Sequence, residues 1–588
     1  MNAVVASPQF LRAASLASLR KTGLLTIQLE GHTIALFEHA DRVYAVDNRC
    51  PHMGFPLDKG TVQDGILTCY WHYARFDLAT GGTFNQFADD VRAFPVEVRG
   101  DNIYIDVALH HDPRVHQQER LHIGLERDIP LVIGKAMMTL LDSGDEQWTG
   151  DPVEPFRTGL LFGAKYRDQG WGQGLTMHVV LMNLLPYLAP EDRPRALYQG
   201  LSAVARDSVG HAPRFCVPPL PGERKDIATL KRWFRQFIAV RDDEGAERCI
   251  VSALRAGADQ QQMADMLFAA VTDYRYIDVG HPLDFTNKAL EALDIVGWEY
   301  AELVLTSLVG GYARAMRMEE SNAWRHPVDL VKLLNDTFEQ LATLPTATSD
   351  EASDKWSGRA ALVQTLLEDD PQATVEAMLA ALRDGCAMTQ LAQIVAYAAA
   401  LRIARFHTSN EFGDWDTALH TFTFANAVHQ GMLRAPSIEL LRGVFDAAMS
   451  IYLDRFLNIP AARLPTPNGK VQDERAALND LTALLDRQQQ VNQSAQKLAH
   501  YLYGDGNADR ALAHLGKLLL REDRNFHTIQ SVEAAFRQYS YLRDEPEGVN
   551  VLVAAMRYLA AHAPTVRAQG QTYEIARRLH KGEKLFEG

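Results

Sequence analysis

One short pattern limits what this chain can fold into more than any other. Cys50-Pro51-His52 is followed, sixteen residues on, by Cys69-Tyr70-Trp71-His72. Thiolate is a soft ligand, and imidazole suits iron and zinc alike. Cys-x-His with Cys-x-x-His on paired loops can therefore hold a binuclear centre, with sulfur on one metal and nitrogen on the other. With 5 cysteines and 20 histidines in 588 residues, chance gives such a match about once in ten thousand chains of this length. The surrounding sequence is strand-like. TIQLEGHTIALFE and DRVYAVDN alternate or cluster β-branched and aromatic residues between Gly, Asn and Asp. VRAFPVEVRGDNIYIDV reads as a hairpin with Gly100, Asp101 and Asn102 at its tip.

These residues, within VYAVDNRCPHMGFPLDKG and GILTCYWHYARFDLATGG, resemble the Rieske [2Fe–2S] family over roughly residues 8–107. The resemblance implies an all-β domain with a [2Fe–2S] cluster. Cys50 and Cys69 would ligate one iron, and His52 and His72 the other. Gly54 and Pro56 would shape the first loop, and Gly81-Gly82 the turn after the second. Tyr70 stands where such loops often carry Pro, and Tyr73 where a small residue is common. Family members in respiratory complexes have an extra cysteine in each loop, and this sequence has neither, so the resemblance is to the ferredoxin and oxygenase branch. Histidine ligation puts Rieske potentials between about −150 and +300 mV. The lower part is expected here, with the histidine side of the cluster near the surface.

From about residue 110 the texture changes. RALYQGLSAVARD, QQMADMLFAAV, QLAQIVAYAAALRIA and SVEAAFRQYSYL have helical spacing. The expected architecture is multidomain: an N-terminal all-β domain over 1–108, then a large all-α region of packed helical units. TLPTATSDEASDKWSG (343–358) and LPTPNGKVQDER (464–475) read as linkers or loops. They divide the helical part into 109–342, a repeat-like 359–463 and a C-terminal 476–588. ALRAG (253–257) and ALRDG (381–385) precede two segments, HPLDFTN (281–287) and HTFTFAN (420–426), that both fit His-x-x-x-Phe-x-Asn. They mark either a duplicated helical unit or the general likeness of Ala-Leu-rich helices.

Composition excludes several classes. Lys and Arg number 59 against 74 Asp and Glu, a net charge of −15, which disfavours nucleic acid. No apolar run approaches the ~18 residues of a membrane span. Five scattered cysteines do not make a disulfide framework. The first twenty residues are acid-poor, with Arg12 and Arg20, but lack a continuous apolar stretch. A reducing, cytoplasmic setting is expected. Cys216, Cys249 and Cys386 have no ligand spacing and read as buried hydrophobes. RDQGWGQG (167–174) reads as a turn.

A ring-hydroxylating oxygenase needs a further iron held by two His and one carboxylate, usually spaced Asp-x-x-His-x-x-x-x-His. Asp106, His111 and His116 imitate it only loosely. The helical region offers His178, His211, His281, His407, His420 and His527 near helix boundaries, with Asp278, Asp284, Glu411, Asp414 and Asp416 beside some of them. His178, His281, His407 and His420 are the candidates for a second metal, an additional iron. GHPLDFTNKALE (280–291) is similar to a Gly/His-Pro-Leu motif of questin-oxidase-type proteins, which are all-helical oxygenases; the second His of that motif is missing, with Asp284 or Phe285 near its place. Two functions stay open. In one, an oxidoreductase passes electrons from the cluster to a redox site in the helices, acting on a small molecule. In the other, an electron carrier or redox sensor has helices that only dock a partner. Either takes electrons from a reductase or ferredoxin.

Overall fold

The computed structural model describes residues 9–108, 113–142, 150–343, 356–467, 469–471, 473–583 and 585. They form two compact units, Met1–Pro155 with Gln569–Gly588, and Phe156–Ala568.

The first unit holds the strands β1 (Phe10–Ser15), β2 (Leu24–Leu29), β3 (His32–His39), β4 (Arg42–Asp47), β5 (Thr61–Gln63), β6 (Ile66–Thr68), β7 (Arg75–Asp77), β8 (Ala93–Phe94), β9 (Val96–Arg99) and β10 (Asn102–Asp106). They make three antiparallel sheets, in the orders β1-β10-β9, β2-β3-β4-β8 and β5-β6-β7. The expected hairpin is β9–β10, with Arg99 opposite Asn102 and Gly100-Asp101 at the tip. β3 explains the layering. Its residues Ile34, Ala35, Leu36 and Phe37 are all buried. Successive strand residues face opposite sides. Ile34 and Leu36 join one core with Phe94, Ile103 and Ile105. Ala35 and Phe37 join the other with Cys50, Leu67, Cys69 and Phe76.

The unit does not stop at residue 108. It continues through helices α1 (Pro113–Arg127) and α2 (Pro130–Leu141), and it takes in nearly all of the last helix, α10 (Ala568–His580). A Cβ on Gly124 would lie 2.9 Å from Ile133 Cγ1, so the glycine permits the close approach of α1 and α2. The C-terminal helix thus clusters with the β-sheets rather than with the helices that precede it.

The second unit contains no strand among the described residues. The helices used below are α3 (Gln173–Leu184), α4 (Arg193–Ser208), α5 (His281–Val296), α6 (Met388–Ala404), α7 (Phe412–Arg434), α8 (Phe526–Tyr541) and α9 (Pro546–Ala561). α3 packs on α4, α6 on α7, and α8 on α9. α6 is buried at every residue from Ile394 to Ala404. A helix buried on every side, its Arg402 side chain hydrogen-bonded, belongs in the interior of its unit. Most of the expected 343–358 linker lies outside the described residues. The 464–475 segment is largely non-helical and lies inside this unit, ending where Asp473 caps the helix Glu474–Leu485.

Candidate metal centres

The first loop runs from β4 to β5 and the second from β6 to β7, and both close the same way. The Cys50 N–H donates to the Phe55 carbonyl at 2.8 Å, and the Gly54 N–H to the Cys50 carbonyl at 2.7 Å. The Cys69 N–H donates to the Ala74 carbonyl at 2.8 Å, and the Tyr73 N–H to the Cys69 carbonyl at 3.1 Å. In each loop the residue four past the cysteine turns the chain with positive φ, +80° at Gly54 and +60° at Tyr73. Glycine adopts this conformation freely. A tyrosine pays about 1–2 kcal/mol for it, which is the physical content of the small-residue expectation at that position. Gly81, at φ +79°, is fixed more firmly, since a Cβ there would lie 1.9 Å from the Val91 carbonyl oxygen.

The loops bring Cys50, His52, Cys69 and His72 together. Both cysteines are buried. Their thiols are within hydrogen-bond reach of each other, which holds Cys50 protonated and pulls Cys69 down. The N–H groups of His52 and Met53 point at the Cys50 sulfur, and those of Trp71 and His72 at the Cys69 sulfur. The rings of His52 and His72 are 4.9 Å apart. Burial, followed by His72 and Lys135, pushes His52 down to about 4, so its imidazole is neutral. Its Nδ1 is buried without a hydrogen-bond partner. A buried lone pair with nothing to accept is costly unless a ligand takes it. Two sulfurs on one side and two imidazoles on the other, one with an orphaned nitrogen, fit a [2Fe–2S] cluster. His52 is half-buried and His72 exposed, so the histidine side faces outward as expected.

A second constellation lies in the helical unit. His281 opens α5, His420 is in the middle of α7, and His527 is in the first turn of α8. One nitrogen from each can be chosen so that all three lie within 4.8 Å of one another. Nε2 of His420 and Nε2 of His527 are 3.1 Å apart. Nδ1 of His420 donates to the Asp416 carbonyl at 2.6 Å, which makes Nε2 the acceptor towards His527. Phe285 and Phe526 stand against the His281 ring. All three histidines are driven neutral by burial, His281 to about 3 and His420 to about 4. The approach to His281 is strained: Tyr276, Asp278 and Val279 have φ of +42°, +43° and +49°. Such residues persist only where the surroundings force them, and they cluster at functional sites. Here the Tyr276 ring sits between Phe424 and Trp324, at 5.0 and 6.0 Å.

Two of the four helical candidates, His281 and His420, therefore meet, and His527 completes the group. The two copies of the His-x-x-x-Phe-x-Asn segment supply the first two. His178 is elsewhere, buried in α3 with Nε2 2.9 Å from the Phe156 carbonyl and Gly159 and Gly200 close to its ring. His407 caps a turn through Ser409, and His211 pairs with Asp168 at 2.9 Å. Glu411 and Asp414 form the capping box of α7. Asp416 accepts from the Tyr558 hydroxyl at 2.6 Å, and Asp284 accepts from Gln530. Cys249 and Cys386 are buried and pushed up to about 12 by that burial, as inert thiols are. His111 lies outside the described residues. RDQGWGQG is a turn, as expected, leading into α3.

The β-domain is similar to known proteins. Residues 9–95 match the Rieske [2Fe-2S] domain. The ferredoxin component of the naphthalene 1,2-dioxygenase system of Pseudomonas aeruginosa is 27% identical over 101 residues, 17% of this chain and 97% of that protein. The ferredoxin component of the p-cumate 2,3-dioxygenase system of Pseudomonas putida is 32% identical over 90 residues, 15% of this chain and 76% of that protein. The 3-phenylpropionate/cinnamic acid dioxygenase ferredoxin subunit of Photorhabdus laumondii is 38% identical over 77 residues, 13% of this chain and 73% of that protein. Through its N-terminal β-domain, the chain belongs to the Rieske [2Fe–2S] family.

Proposed function

We propose that this protein is an iron–sulfur oxidoreductase in which the Rieske domain receives electrons singly and the helical unit holds the redox site that uses them. A Rieske domain binds a [2Fe–2S] cluster, which supplies one-electron transfer. Cys50 and Cys69 would hold one iron, and His52 and His72 the other. The exposed His72 edge would face an electron-donating reductase or ferredoxin, a donor in keeping with relatives named as components of dioxygenase systems. His281, His420 and His527 would hold a further transition metal, an additional iron, each through one neutral nitrogen. Three protein ligands leave open positions for a small-molecule substrate or dioxygen. Joining donor and acceptor in one chain raises their effective concentration. No described helix is long and apolar enough to cross a membrane, in keeping with a cytoplasmic setting.

The observation that carries this reading is the convergence of three neutral imidazoles from three helices far apart in sequence. Metal content per chain, measured on anaerobically purified protein, tests it. Three or four irons, or two plus another transition metal, are expected, falling back to two in His281→Ala and His527→Ala but not in His178→Ala. Two irons in the parent protein would instead leave an electron carrier or redox sensor whose helices dock a partner.

A further inference from the structure

The cluster loop is held by a charged group that the β-domain itself does not contain. α2, PLVIGKAMMTLL, has a single charged residue, Lys135. Its ammonium donates to the Pro51 carbonyl at 2.5 Å, between the two ligand positions of the first loop, and to Asp89 Oδ2 at 2.6 Å. Asp89 is 8% exposed and also accepts from Arg120 of α1, at 2.5 Å. Arg120 is 5% exposed and donates at 2.8 Å to the carbonyls of Gln86 and Ala88. Two cations thus share one carboxylate, and the triad, with Asp89 and Arg120 buried and Lys135 half-buried, carries a net charge of +1 against the Cys50–His52 loop.

These contacts tie α2 to the cluster loop, and they also bring a charge to it. Charge matters to a centre that gains an electron. Reduction adds one negative charge and breaks no bond, and a nearby cation partly shielded from solvent favours the more negative state. α1 and α2 begin beyond residues 9–95, where the family match ends. We propose that Lys135, which shares the Asp89 counter-charge with Arg120, sets the reduction potential of the cluster, raising it above that of the β-domain alone. It is a positioning and electrostatic residue, not a ligand. The inference rests on the cluster being held by Cys50, His52, Cys69 and His72.

The test is a dithionite titration of the full-length holoprotein, with reduction followed by electron paramagnetic resonance. Lys135→Met removes the cation and keeps the stem. At fixed potential it should shift the oxidised-to-reduced ratio about tenfold towards oxidised, a fall of 59 mV for a one-electron couple. Lys135→Arg should stay near the parent value. Asp89→Asn removes the counter-charge and should move the potential the opposite way, upward. Mere loosening of the loop would move both variants in the same direction. Shifts of the same sign, or none, overturn the proposal while leaving the ligand assignment intact. Loss of the Rieske signal in the parent protein would instead sink that assignment. Should Lys135→Met not retain the signal, Asp89→Asn decides alone: a rise supports the proposal, and a fall or no change overturns it.

Discussion

Position for position, the two cluster loops repeat one backbone design, and single substitutions can separate ligation from loop shape. His52→Ala or His72→Ala should abolish the [2Fe–2S] visible absorption and paramagnetic signal while the helical circular dichroism survives. Met53→Leu, which alters a residue offering only its N–H to Cys50, should keep both. The left-handed positions make a sharper pair. Gly54→Ala puts a Cβ 3.2 Å from Arg49 Nε and 3.4 Å from Leu579 Cδ2 at φ +80°. It should cost about 1–2 kcal/mol. Tyr73→Gly relieves the corresponding strain, and Tyr73 is 66% exposed, so little packing is lost. The entropy of a glycine in the unfolded chain offsets part of the gain. The expected change is between zero and about 1 kcal/mol of added stability, read by denaturant unfolding with the cluster spectrum retained. A drop as large as that of Gly54→Ala would mean that the Tyr73 ring holds the loop.

The elements that sequence reveals best are those whose signal is local. The cluster ligands fall within 23 residues, Cys50 to His72, and the hairpin tip is a run of turn residues, so both are visible in a short window. The helical cluster is not local. His281, His420 and His527 are brought together by the packing of α5, α7 and α8, and no spacing rule links them. His178 is equally suitable by sequence, because helical context does not reveal where a ring points. The change of texture near residue 110 marks where the strands end, and texture does not show which helices cluster with the sheets. A lone lysine in the apolar α2 was the available sign. What did leave a trace at the second centre is Gly280, ahead of His281. Its φ is +94°, and a Cβ would lie 2.7 Å from Phe424 Cβ. Gly280→Ala should therefore displace the start of α5 and cost about 2–4 kcal/mol. Metal analysis of the variant should lose the metal assigned to the helical unit and keep the two irons of the cluster. Retention of all metals would show that His281 tolerates the displacement.

Over the whole chain, a net charge of −15 says little about pH response, because that response follows from groups whose protonation differs between folded and unfolded states. The helical unit buries groups of both kinds. His178, 1% exposed, is pushed down to about 4 by burial. Between pH 4 and about 6.5 its unfolded form binds a proton that the folded form does not. Its contribution is therefore complete above 6.5 and is lost as pH falls towards 4, by about 3 kcal/mol. Asp454, 3% exposed and held by the Thr421 hydroxyl at 2.7 Å, is pushed up to about 7 by burial. Here the folded form keeps a proton that the unfolded form has released. Its contribution is complete below about 4 and is lost as pH rises towards 7, by about 4 kcal/mol. The two carboxamide variants should thus diverge from the parent in opposite senses. His178→Asn lacks the acid-side loss, so its deficit relative to the parent shrinks as pH falls from 6.5 to 4. Asp454→Asn lacks the alkaline-side loss, so it gains on the parent as pH rises from 4 to 7. Denaturant unfolding followed by far-ultraviolet circular dichroism, at half-unit pH steps, measures both differences directly. Parallel curves for the parent and either variant would mean that the group concerned titrates in the folded chain as it does in water, and is reached by solvent despite its burial.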